Sequence, residues 1–403
     1  MNFQKKKHNI LFYHDTGLYY GSTEKLLQTI AKNLNPSEFN VHFLYSDKKY
    51  GEPRLSYFLG SNVKLIKFDY DYKIEKEPFK IVGMKPSIME IVNKCQIECI
   101  FLTIFSNYQF PINIIPSTIP IIAISPFGHW CTNGNIFKTY CSGSENKRRA
   151  KRKGARNVEL LFNPIPDPPN KYLTKPPVSE IVVFGRIGRP NDTIFDPIST
   201  SAFKKLEDIY GDKVRYDVVA PPPAMVKLAK DLDIKNIRFF EPITDEEELA
   251  SFYYNIDVFA HARKDGETAG IAIAEAMMAG NPIVTHKSHF HNDHLLYLDE
   301  PFARWCEPDD VDAYFENMKW FVENKNRIRE MGLLARKKSK SLFGLENFMV
   351  HISKDIENAC SLCKYWDPRG KFLGYTKLFF VNCFYLPVSL IRRIIKKFLG
   401  IKY

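Results

Sequence analysis

Two carboxylates, Glu267 and Glu275, stand eight positions apart in the segment 265–284, DGETAGIAIAEAMMAGNPIV. Glu267 lies in a glycine-flanked turn, whereas Glu275 lies among alanine, isoleucine and methionine residues. A carboxylate on an otherwise apolar helix costs free energy unless it has a partner. Glu275 is therefore expected to bind a polar group.

The residues around these glutamates predict a short helix. A turn with Gly266 and Gly270 leads into the apolar run, and the run stops at Gly280-Asn281-Pro282, in the way that helices end. A helix N-terminus that follows a glycine turn offers free N–H groups and the positive end of the helix dipole, which suit a phosphate. The segment thus predicts a phosphate site with Glu267 beside it and Glu275 further along the helix. The alternative is a surface helix with two solvated glutamates.

Strands and helices alternate around this segment in two runs. The first run predicts strands at 9–14, 41–45, 63–68, 98–103 and 119–124, with a helix at 24–34. The second predicts strands at 180–184, 214–219, 237–240, 256–260 and 282–285, with helices near 198–210, 223–232 and 245–254. Such alternation indicates parallel sheets, which bind ligands at the carboxyl ends of their strands. Glu267 follows a strand, where chemistry is expected.

The length of 403 residues exceeds what one hydrophobic core usually supports, so two domains are expected. The best linker is the proline-rich segment 163–177, NPIPDPPNKYLTKPP. We predict an α/β protein with two Rossmann-like domains facing a cleft. Their limits are 1–170 and 171–355, and a basic, apolar helical tail follows at 356–403.

The net charge of +11 is concentrated in two places. Residues 147–156 hold seven basic residues, and residues 371–403 hold seven more and no acid. Subtracting these fourteen charges leaves the rest of the chain near −3, which argues against a nucleic-acid partner. The run 147–156 is either the solvated face of a helix or a patch for anionic lipid or nucleic acid.

The C-terminal tail combines apolar and basic residues. Residues 378–391, LFFVNCFYLPVSLI, carry no charge, and a cluster of cations follows. This stretch is too short to span a bilayer but suits an anionic membrane surface, contacted through 371–403. The alternative is a helix packed on the protein body. Without an apolar leader, and with eight scattered cysteines expected to be reduced, the predicted location is the cytoplasm, with peripheral membrane contact.

Four motifs, in order along the chain, resemble the retaining glycosyltransferases of family 4, which have the two-domain GT-B fold. Residues 20–25, YGSTEK, resemble the Gly-Gly-x-Glu loop of the family, with Ser22 in place of the second glycine. Residues 161–166, LFNPIP, are similar to the turn before the domain linker, and 184–186, FGR, to its V-G-R. Residues 267–284 resemble the E-x7-E signature and its EAMA-x-G-x-P-V tail. The similarity extends to about residue 355.

The resemblance implies a role for each matching residue. Glu275 would accept hydrogen bonds from the donor ribose, and Glu267 would hold hydroxyls of the donor sugar. The implied donor site consists of Gly21, Ser22, Thr23, Gly266, Thr268, Ala269, Gly270 and Glu275. Arg186 matches the arginine that stabilises the leaving diphosphate. The lysine expected five positions later is Asn191, and Arg189 is the nearest substitute. Glu267, Arg186 and Arg189 are thus the predicted catalytic residues.

Two histidine-containing segments need separate interpretations. His129, in SPFGHW, resembles the acceptor-side histidine of the family, and the alternative is a structural histidine. The cluster His286, His289, His291, Asp293 and His294 has no spacing typical of a metal site. Since the family needs no metal, we expect no metal and no cofactor.

The implied function is retaining transfer of a hexose-type sugar from a nucleotide-diphosphate sugar to a glycan or a lipid-linked acceptor. In the family, the acceptor hydroxyl attacks from the leaving-group side, and a phosphate oxygen helps to take its proton. One alternative is a nucleotide-sugar epimerase with the GT-B fold. Another is a non-catalytic protein that binds a nucleotide sugar.

Overall fold

The computed structural model describes residues 6–14, 17–19, 22–46, 53–71, 83–104, 115, 118–129 and 135–363. They form two compact units. The first contains the described residues up to Leu161 and those from Met349 onward, and the second contains Phe162–Phe348.

The described residues of the first unit form nine strands, seven of which build one parallel sheet. In chain order its strands are β1 (His8–Tyr13), β2 (Phe39–Tyr45), β3 (Lys64–Lys67), β4 (Asp69–Asp71), β5 (Gly83–Lys85), β6 (Cys99–Thr103), β7 (Ile121–Ser125), β8 (Ile136–Cys141) and β9 (Val158–Leu160). Strands β4 and β5 form a separate antiparallel pair, and the main sheet has the order β3-β2-β1-β6-β7-β8-β9. Helices α1 (Ser22–Asn33), α2 (Ile88–Cys95) and α3 (Ser144–Arg152) belong to this unit.

The core of this sheet explains why its strands are almost uniformly apolar. Phe12 of β1 stacks between Phe43 of β2 and Phe101 of β6, with ring centroids 5.9 and 5.3 Å apart. On the opposite face, Leu11 and Tyr13 are fully buried. A parallel sheet that is covered on both faces needs such runs rather than an alternating pattern.

The second unit has its own parallel sheet. Its strands are β10 (Val182–Ile187), β11 (Val214–Val219), β12 (Ile237–Phe240), β13 (Val258–Ala260), β14 (Gly266–Glu267), β15 (Ile283–His286), β16 (His291–Asn292) and β17 (Ala303–Cys306). The main sheet has the order β12-β11-β10-β13-β15-β17, and β14 pairs with β16. Its helices are α4 (Ile198–Tyr210), α5 (Pro223–Asp231), α6 (Glu246–Asn255), α7 (Ile271–Met278), α8 (Val311–Glu323) and α9 (Ile328–Phe343).

Both sheets have the strand order of a Rossmann fold. In the second unit the order reverses between β10 and β13, and in the first it reverses between β1 and β6. The crevice at the carboxyl ends of the strands at such a reversal is where doubly wound sheets bind ligands. The predicted class, α/β with two Rossmann-like domains, is confirmed for each unit.

The last described helix, α10 (Leu345–Ser361), brings the chain back to the first unit. Its Asp355 is buried and accepts a hydrogen bond from Tyr140 and one of 2.7 Å from Lys138 Nζ. Lys138 also donates to Glu159 Oε2 at 2.9 Å. A buried lysine and carboxylate are stable only with such partners, so this network fixes α10 on β8 and β9.

The predicted domain limits therefore differ from the compact units. The units divide the chain after Leu161 and again after Phe348. The predicted boundaries lie after residues 170 and 355, and the second falls inside α10. The reason is that α10 is continuous across that position. Residues 364–403 of the predicted tail lie outside the described residues, and within the described part of the chain no helix is long and apolar enough to cross a membrane.

The predicted linker 163–177 is anchored to the second unit by Lys175. Its ammonium group donates to the carbonyl oxygens of Tyr253 and Ile256 and to Oδ1 of Asn281. Burial lowers the pKa of Lys175 well below its usual value. This part of the chain is thus held by specific polar contacts.

Replacing Lys175 by methionine is expected to destabilise the protein by about 2–4 kcal/mol, because three buried acceptors lose their donor. Urea unfolding at pH 7 measures the change. The matched control is Lys230→Met on α5, whose exposed side chain makes no ion pair among the described residues and should change stability by less than about 0.5 kcal/mol. Equal effects of the two substitutions would contradict this role of Lys175.

Candidate functional site

Two predicted site residues of the second unit, Arg186 and Glu267, lie where its strand order reverses. Arg186 lies near the end of β10, and His261 directly follows β13. Glu267 lies in β14, which pairs with β16 in parallel through Glu267 and Asn292. The fold thus places these side chains at the edge where such sheets bind ligands.

Gly266 allows β14 to approach β16 closely. Its φ is +69°, and a Cβ at this position would lie 1.8 Å from the carbonyl oxygen of His291 and 2.3 Å from Ser288 Oγ. A backbone carbonyl cannot give way by that amount, so only glycine fits here. The position of Glu267, one residue later, depends on this contact.

The Glu267 carboxylate is held by two basic side chains. Its Oε1 lies 3.2 Å from His261 Nε2 and 3.4 Å from an Nη of Arg263, and the side chain is 16% exposed. Burial alone would raise the pKa of Glu267, but the contact with His261 and the proximity of His261, Arg263 and His294 lower it to about 2. Glu267 is therefore ionised at neutral pH and acts as an acceptor of hydrogen bonds.

The lowered pKa of Glu267 predicts a measurable dependence of stability on pH. A depressed carboxyl pKa stabilises the folded state above the unfolded pKa of about 4.5, and this contribution disappears as the pH falls toward 2. Between pH 5 and pH 3 the wild type is expected to lose about 2 kcal/mol more than Glu267→Gln, from 1.36 kcal/mol per pKa unit. Urea unfolding of both proteins at the two pH values tests this. An equal loss of stability in the wild type and in Glu267→Gln would show that the pKa of Glu267 is not depressed.

The basic side chains around Glu267 are themselves positioned by acids and backbone groups. Arg263 forms two hydrogen bonds with Asp265, of 2.5 and 2.9 Å. His286 donates from Nδ1 to the carbonyl oxygen of Lys287 and accepts from the N–H of Arg263 at 3.1 Å, an arrangement that fits the neutral imidazole. Burial lowers the pKa of His294 to about 4, so it is also neutral at pH 7.

The histidine-rich segment 286–294 contributes structural contacts. His289 Nε2 lies 2.9 Å from an oxygen of exposed Asp309, and the carbonyl oxygen of His291 accepts from Ser288 Oγ. Among the described residues, three potential metal ligands converge at Glu159, His351 and Asp355 in the first unit. There the ammonium of Lys138 already contacts both carboxylates. Metal independence stays a prediction.

Helix α7 begins and ends as predicted. Gly270, with φ +62°, precedes its first residue, Ile271, and a Cβ on Gly270 would lie 2.2 Å from the hydroxyl of Tyr297. At the other end, the N–H groups of Gly280 and Asn281 bond to carbonyl oxygens of α7, which is the Schellman pattern. The first N–H groups of the helix lack intrahelical acceptors. They lie next to the half-buried Thr268 and Ala269, as the predicted phosphate site requires.

Glu275 has the partner that its apolar surroundings demand. Its Oε2 accepts a hydrogen bond of 2.9 Å from the hydroxyl of Tyr253, and the side chain is half-buried. Burial, together with the nearby Glu275, raises the pKa of Tyr253 well above its usual value, so the hydroxyl remains a donor. The contact with a donor ribose stays a prediction.

The two predicted catalytic arginines occupy different environments. Arg186 is only 3% exposed, and its guanidinium donates to the carbonyl oxygen of Ala262 at 2.5 Å and to Ser199 Oγ at 3.3 Å. The bond to Ala262 fixes the backbone after β13, and the contact of Arg186 with a diphosphate stays a prediction. Arg189 is exposed, two residues after β10. Asn191 instead accepts a hydrogen bond from the N–H of Thr193 and caps a short 3₁₀ turn.

The predicted site residues of the first unit are partly described. Gly21 lies outside the described residues, Ser22 begins α1, and Thr23 Oγ1 donates to Glu24 at 2.9 Å. His129 is half-buried after β7. Burial, Lys153 and Arg149 lower its pKa, so the imidazole is neutral at pH 7. The roles predicted for these residues stay predictions.

Sequence reasoning missed His261 and Arg263, the side chains that hold Glu267. Neither belongs to a motif, and His261 lies six positions before the carboxylate it contacts. A signal was nevertheless available, since His261 directly follows the apolar run of a strand. Polar residues at the carboxyl end of a parallel strand are candidates for a site.

Comparison with known proteins agrees with this fold. Residues 202–338 match the family described as glycosyl transferases group 1. No curated protein sequence matches the chain. Among solved structures, the chain is similar to Anabaena HepE in complex with UDP and glucose, with a TM-score of 0.64 and 13% identity over 87% of this chain and 100% of that one.

Two further structures show the same fold. A glycosyltransferase from Rickettsia africae has a TM-score of 0.67 and 14% identity over 89% of this chain and 100% of its own. Sucrose-phosphate synthase from Thermosynechococcus elongatus has a TM-score of 0.60 and 12% identity over 88% of this chain and 99% of its own. At these identities the likeness concerns the fold.

These findings define the class of protein. The second unit carries a glycosyl transferases group 1 domain, and the fold is that of the GT-B glycosyltransferases. The chain is a glycosyltransferase enzyme, as predicted. Its assignment to family 4 within this class stays a prediction.

Proposed function

We propose that this glycosyltransferase moves a hexose-type sugar from a nucleotide-diphosphate sugar to a glycan or a lipid-linked acceptor, with retention of configuration. The observation that carries the proposal is the ionised Glu267, held between His261 and Arg263 beside the start of α7. The HepE structures with UDP and with UDP-glucose support UDP-glucose as the first donor to test.

The geometry supports different roles for different groups, some of which would bind the donor while others would stabilise the leaving diphosphate. Glu267, as a carboxylate, would accept hydrogen bonds from hydroxyls of the donor sugar and fix its orientation. The first N–H groups of α7 and the exposed Arg189 would stabilise the negative charge that develops on the departing diphosphate. Glu275 would bind the ribose, while Tyr253 holds its carboxylate in place.

The chemical step balances without a protein nucleophile. The acceptor hydroxyl forms a bond with the anomeric carbon from the leaving-group side, while the bond between that carbon and the diphosphate oxygen breaks. The nucleoside diphosphate departs with the electron pair, and one of its phosphate oxygens takes the acceptor proton. Glu267 remains ionised throughout, in keeping with its lowered pKa.

A panel of nucleotide sugars tests this proposal. A donor present at 100 times its Kd should raise the free energy of unfolding by about 2.7 kcal/mol, and the wrong nucleotides should not. NMR of the product with each acceptor then reports the anomeric configuration. Inversion would contradict the retaining mechanism, and conversion of the donor sugar without any acceptor would favour the epimerase.

His261 is expected to position Glu267, and two substitutions separate this role from bulk packing. Leucine at position 261 removes the nitrogen 3.2 Å from the carboxylate, whereas glutamine places an amide near the position of Nε2. We expect His261→Leu to lower kcat/KM about 10- to 100-fold, and His261→Gln to recover part of this loss. Binding of the free nucleoside diphosphate should be unchanged in both. Equal kinetics of the two variants would exclude this positioning role.

We also propose that the tail 371–403 contacts anionic membranes. Its support is the uncharged stretch 378–391 followed by cations. Co-sedimentation with anionic vesicles compares the full chain with a chain that ends at residue 370. Equal binding of the two would contradict this contribution of the tail.

A further inference from the structure

A cavity of about 600 Å³ lies in the first unit, between its sheet and α2. Sites for small molecules usually enclose about 300–1,000 Å³, so this cavity has the size of a ligand site. The sheet contributes Asn9 of β1, His42 of β2 and Lys64 of β3 to its lining, and α2 contributes Ile91 and Lys94. None of these residues belongs to the predicted sugar-transfer site.

The register of the strands explains why a cavity forms here. His42 pairs with Leu11 of β1 and with Lys64 of β3, so the three side chains lie on one face of the sheet. Leu11 belongs to the same buried core as Ile91 of α2. Because α2 has only eight residues, and is thus about 12 Å long, it covers part of this face. The cavity occupies the part beside it.

The cavity lies toward the amino ends of the strands. Asn9 is the second residue of β1, and Lys64 is the first residue of β3. Doubly wound sheets bind their usual ligands at the opposite edge, where the strands have their carboxyl ends. His129, predicted to lie on the acceptor side, follows the carboxyl end of β7. A ligand in this cavity would therefore occupy a second site of the first unit.

His42 carries a hydrogen-bonding group that the fold does not use. It is 6% exposed, and its Nδ1 has no hydrogen-bond partner among the described residues. Burial and the charge of Lys64 lower the pKa of His42, so the imidazole is neutral at pH 7. Buried polar groups normally have a partner, and leaving one without a partner costs free energy. A ligand that offers a hydrogen bond to His42 would remove this cost.

The charged residues of the lining favour an anion. Lys64 and Lys94 are exposed and form no ion pair within the part of the chain that the structure describes. The carboxylate in the lining, Glu90, accepts from the N–H of Ser87 at 2.8 Å in the capping box of α2. This contact holds Glu90 at the start of the helix, so the two lysines contribute the charge that a ligand would meet.

We propose that this cavity binds a small anionic molecule with an apolar body, such as an aromatic carboxylate or an aromatic phosphate monoester. Its anionic group would pair with Lys64 and Lys94, its body would pack on Ile66 and Ile91, and a polar atom would bind His42. Binding here requires no sugar transfer, so the test does not depend on the proposed function.

Calorimetry of the full chain with 2-naphthyl phosphate tests the proposal, with uncharged 2-naphthol as the comparison. We expect the phosphate to bind at least about tenfold more tightly, and Lys64→Glu with Lys94→Glu to weaken its binding about tenfold or more. The matched control, Lys151→Glu with Lys153→Glu, reverses two exposed lysines elsewhere in the first unit and should change the affinity less than about twofold.

His42→Phe separates binding from folding. The substitution keeps an aromatic ring but removes both nitrogens, so we expect about threefold to tenfold weaker binding of 2-naphthyl phosphate. Stability in urea should be unchanged or higher, because an apolar ring replaces a buried nitrogen without a partner. Wild-type affinity in this variant would overturn the role of His42 in the site.

Cys95 locates the bound molecule, because its thiol is half-buried in the lining of the cavity. At ten times its Kd, 2-naphthyl phosphate should slow alkylation of Cys95 by iodoacetamide about fivefold to tenfold, since it fills about nine-tenths of the sites. Cys363, which is half-buried after α10 and outside the lining, is the internal control and should react at an unchanged rate. Mass spectrometry of the two peptides measures both rates.

Three results would overturn the proposal. The first is unchanged binding of 2-naphthyl phosphate by the Lys64/Lys94 variant, or an equal loss in the Lys151/Lys153 control. The second is equal affinity for 2-naphthol, which would mean that the lysines select no anion. The third is an unchanged alkylation rate at Cys95, or equal slowing at Cys363, which would place the bound molecule outside the cavity.

Discussion

Replacing Glu267 by alanine is expected to lower kcat/KM about 10²- to 10³-fold, because an ionised hydrogen-bond acceptor is lost from a largely buried site. His261 and Arg263 would remain there without the carboxylate that they hold. We expect the affinity for the donor sugar nucleotide to fall and that for the free nucleoside diphosphate to persist. Transfer assays and calorimetry with the two ligands measure the two effects.

The matched control for this prediction is Glu330→Ala on α9. This carboxylate is exposed, far along the chain from the site, and its removal should leave transfer unchanged within about twofold. Unimpaired transfer by Glu267→Ala, with the correct donor, would refute the assignment of the site. If Glu267→Ala loses affinity equally for the sugar nucleotide and the nucleoside diphosphate, Glu267 contributes to binding of the diphosphate rather than of the sugar.

Replacing Gly266 by alanine is expected to destabilise the second unit by more than about 3 kcal/mol. The added Cβ would lie 1.8 Å from a backbone carbonyl oxygen of β16, so β14 must separate from β16. The positive φ adds about 1 kcal/mol of strain. Activity should fall together with stability, because β14 contains Glu267. Urea unfolding and transfer assays on the same preparation measure both.

Gly211 offers a control that isolates the steric clash. It also has a positive φ, +52°, but nothing lies within 4 Å of a Cβ built there. Gly211→Ala should therefore cost only the backbone strain, about 1–3 kcal/mol, without loss of activity. A similar loss of stability in Gly266→Ala and Gly211→Ala would mean that β14 can move away from β16 without destabilising the second unit.

Local sequence patterns were sufficient to predict many of the helices and strands of the second unit. The structure has α4 at Ile198–Tyr210, β11 at Val214–Val219 and β12 at Ile237–Phe240, the limits that the sequence predicts. Helix α7 was also predictable, since its glycine start and its Gly-Asn-Pro stop act over a few residues. Such elements depend on propensity and periodicity, which are visible in a short window of sequence.

Features that depend on distant partners were not predictable. β8 contains Lys138, an unfavourable residue for a buried strand, and it is neutralised by Asp355, 217 positions away. Arg186 donates to the carbonyl oxygen of Ala262, 76 positions away, a contact that its motif does not specify. A motif specifies the residue type, whereas the direction of the side chain depends on tertiary neighbours.

The return of α10 to the first unit has a consequence for synthesis on the ribosome. The second unit is an insertion between two parts of the first, so its sequence is complete before that of the first. Until Asp355 has emerged, Lys138 and Tyr140 lack the carboxylate that satisfies them in the native state. The first unit begins to be synthesised first, but it must therefore finish folding last. A chain that ends at residue 348 and is released from the ribosome should show a protease-resistant second unit beside an open first one.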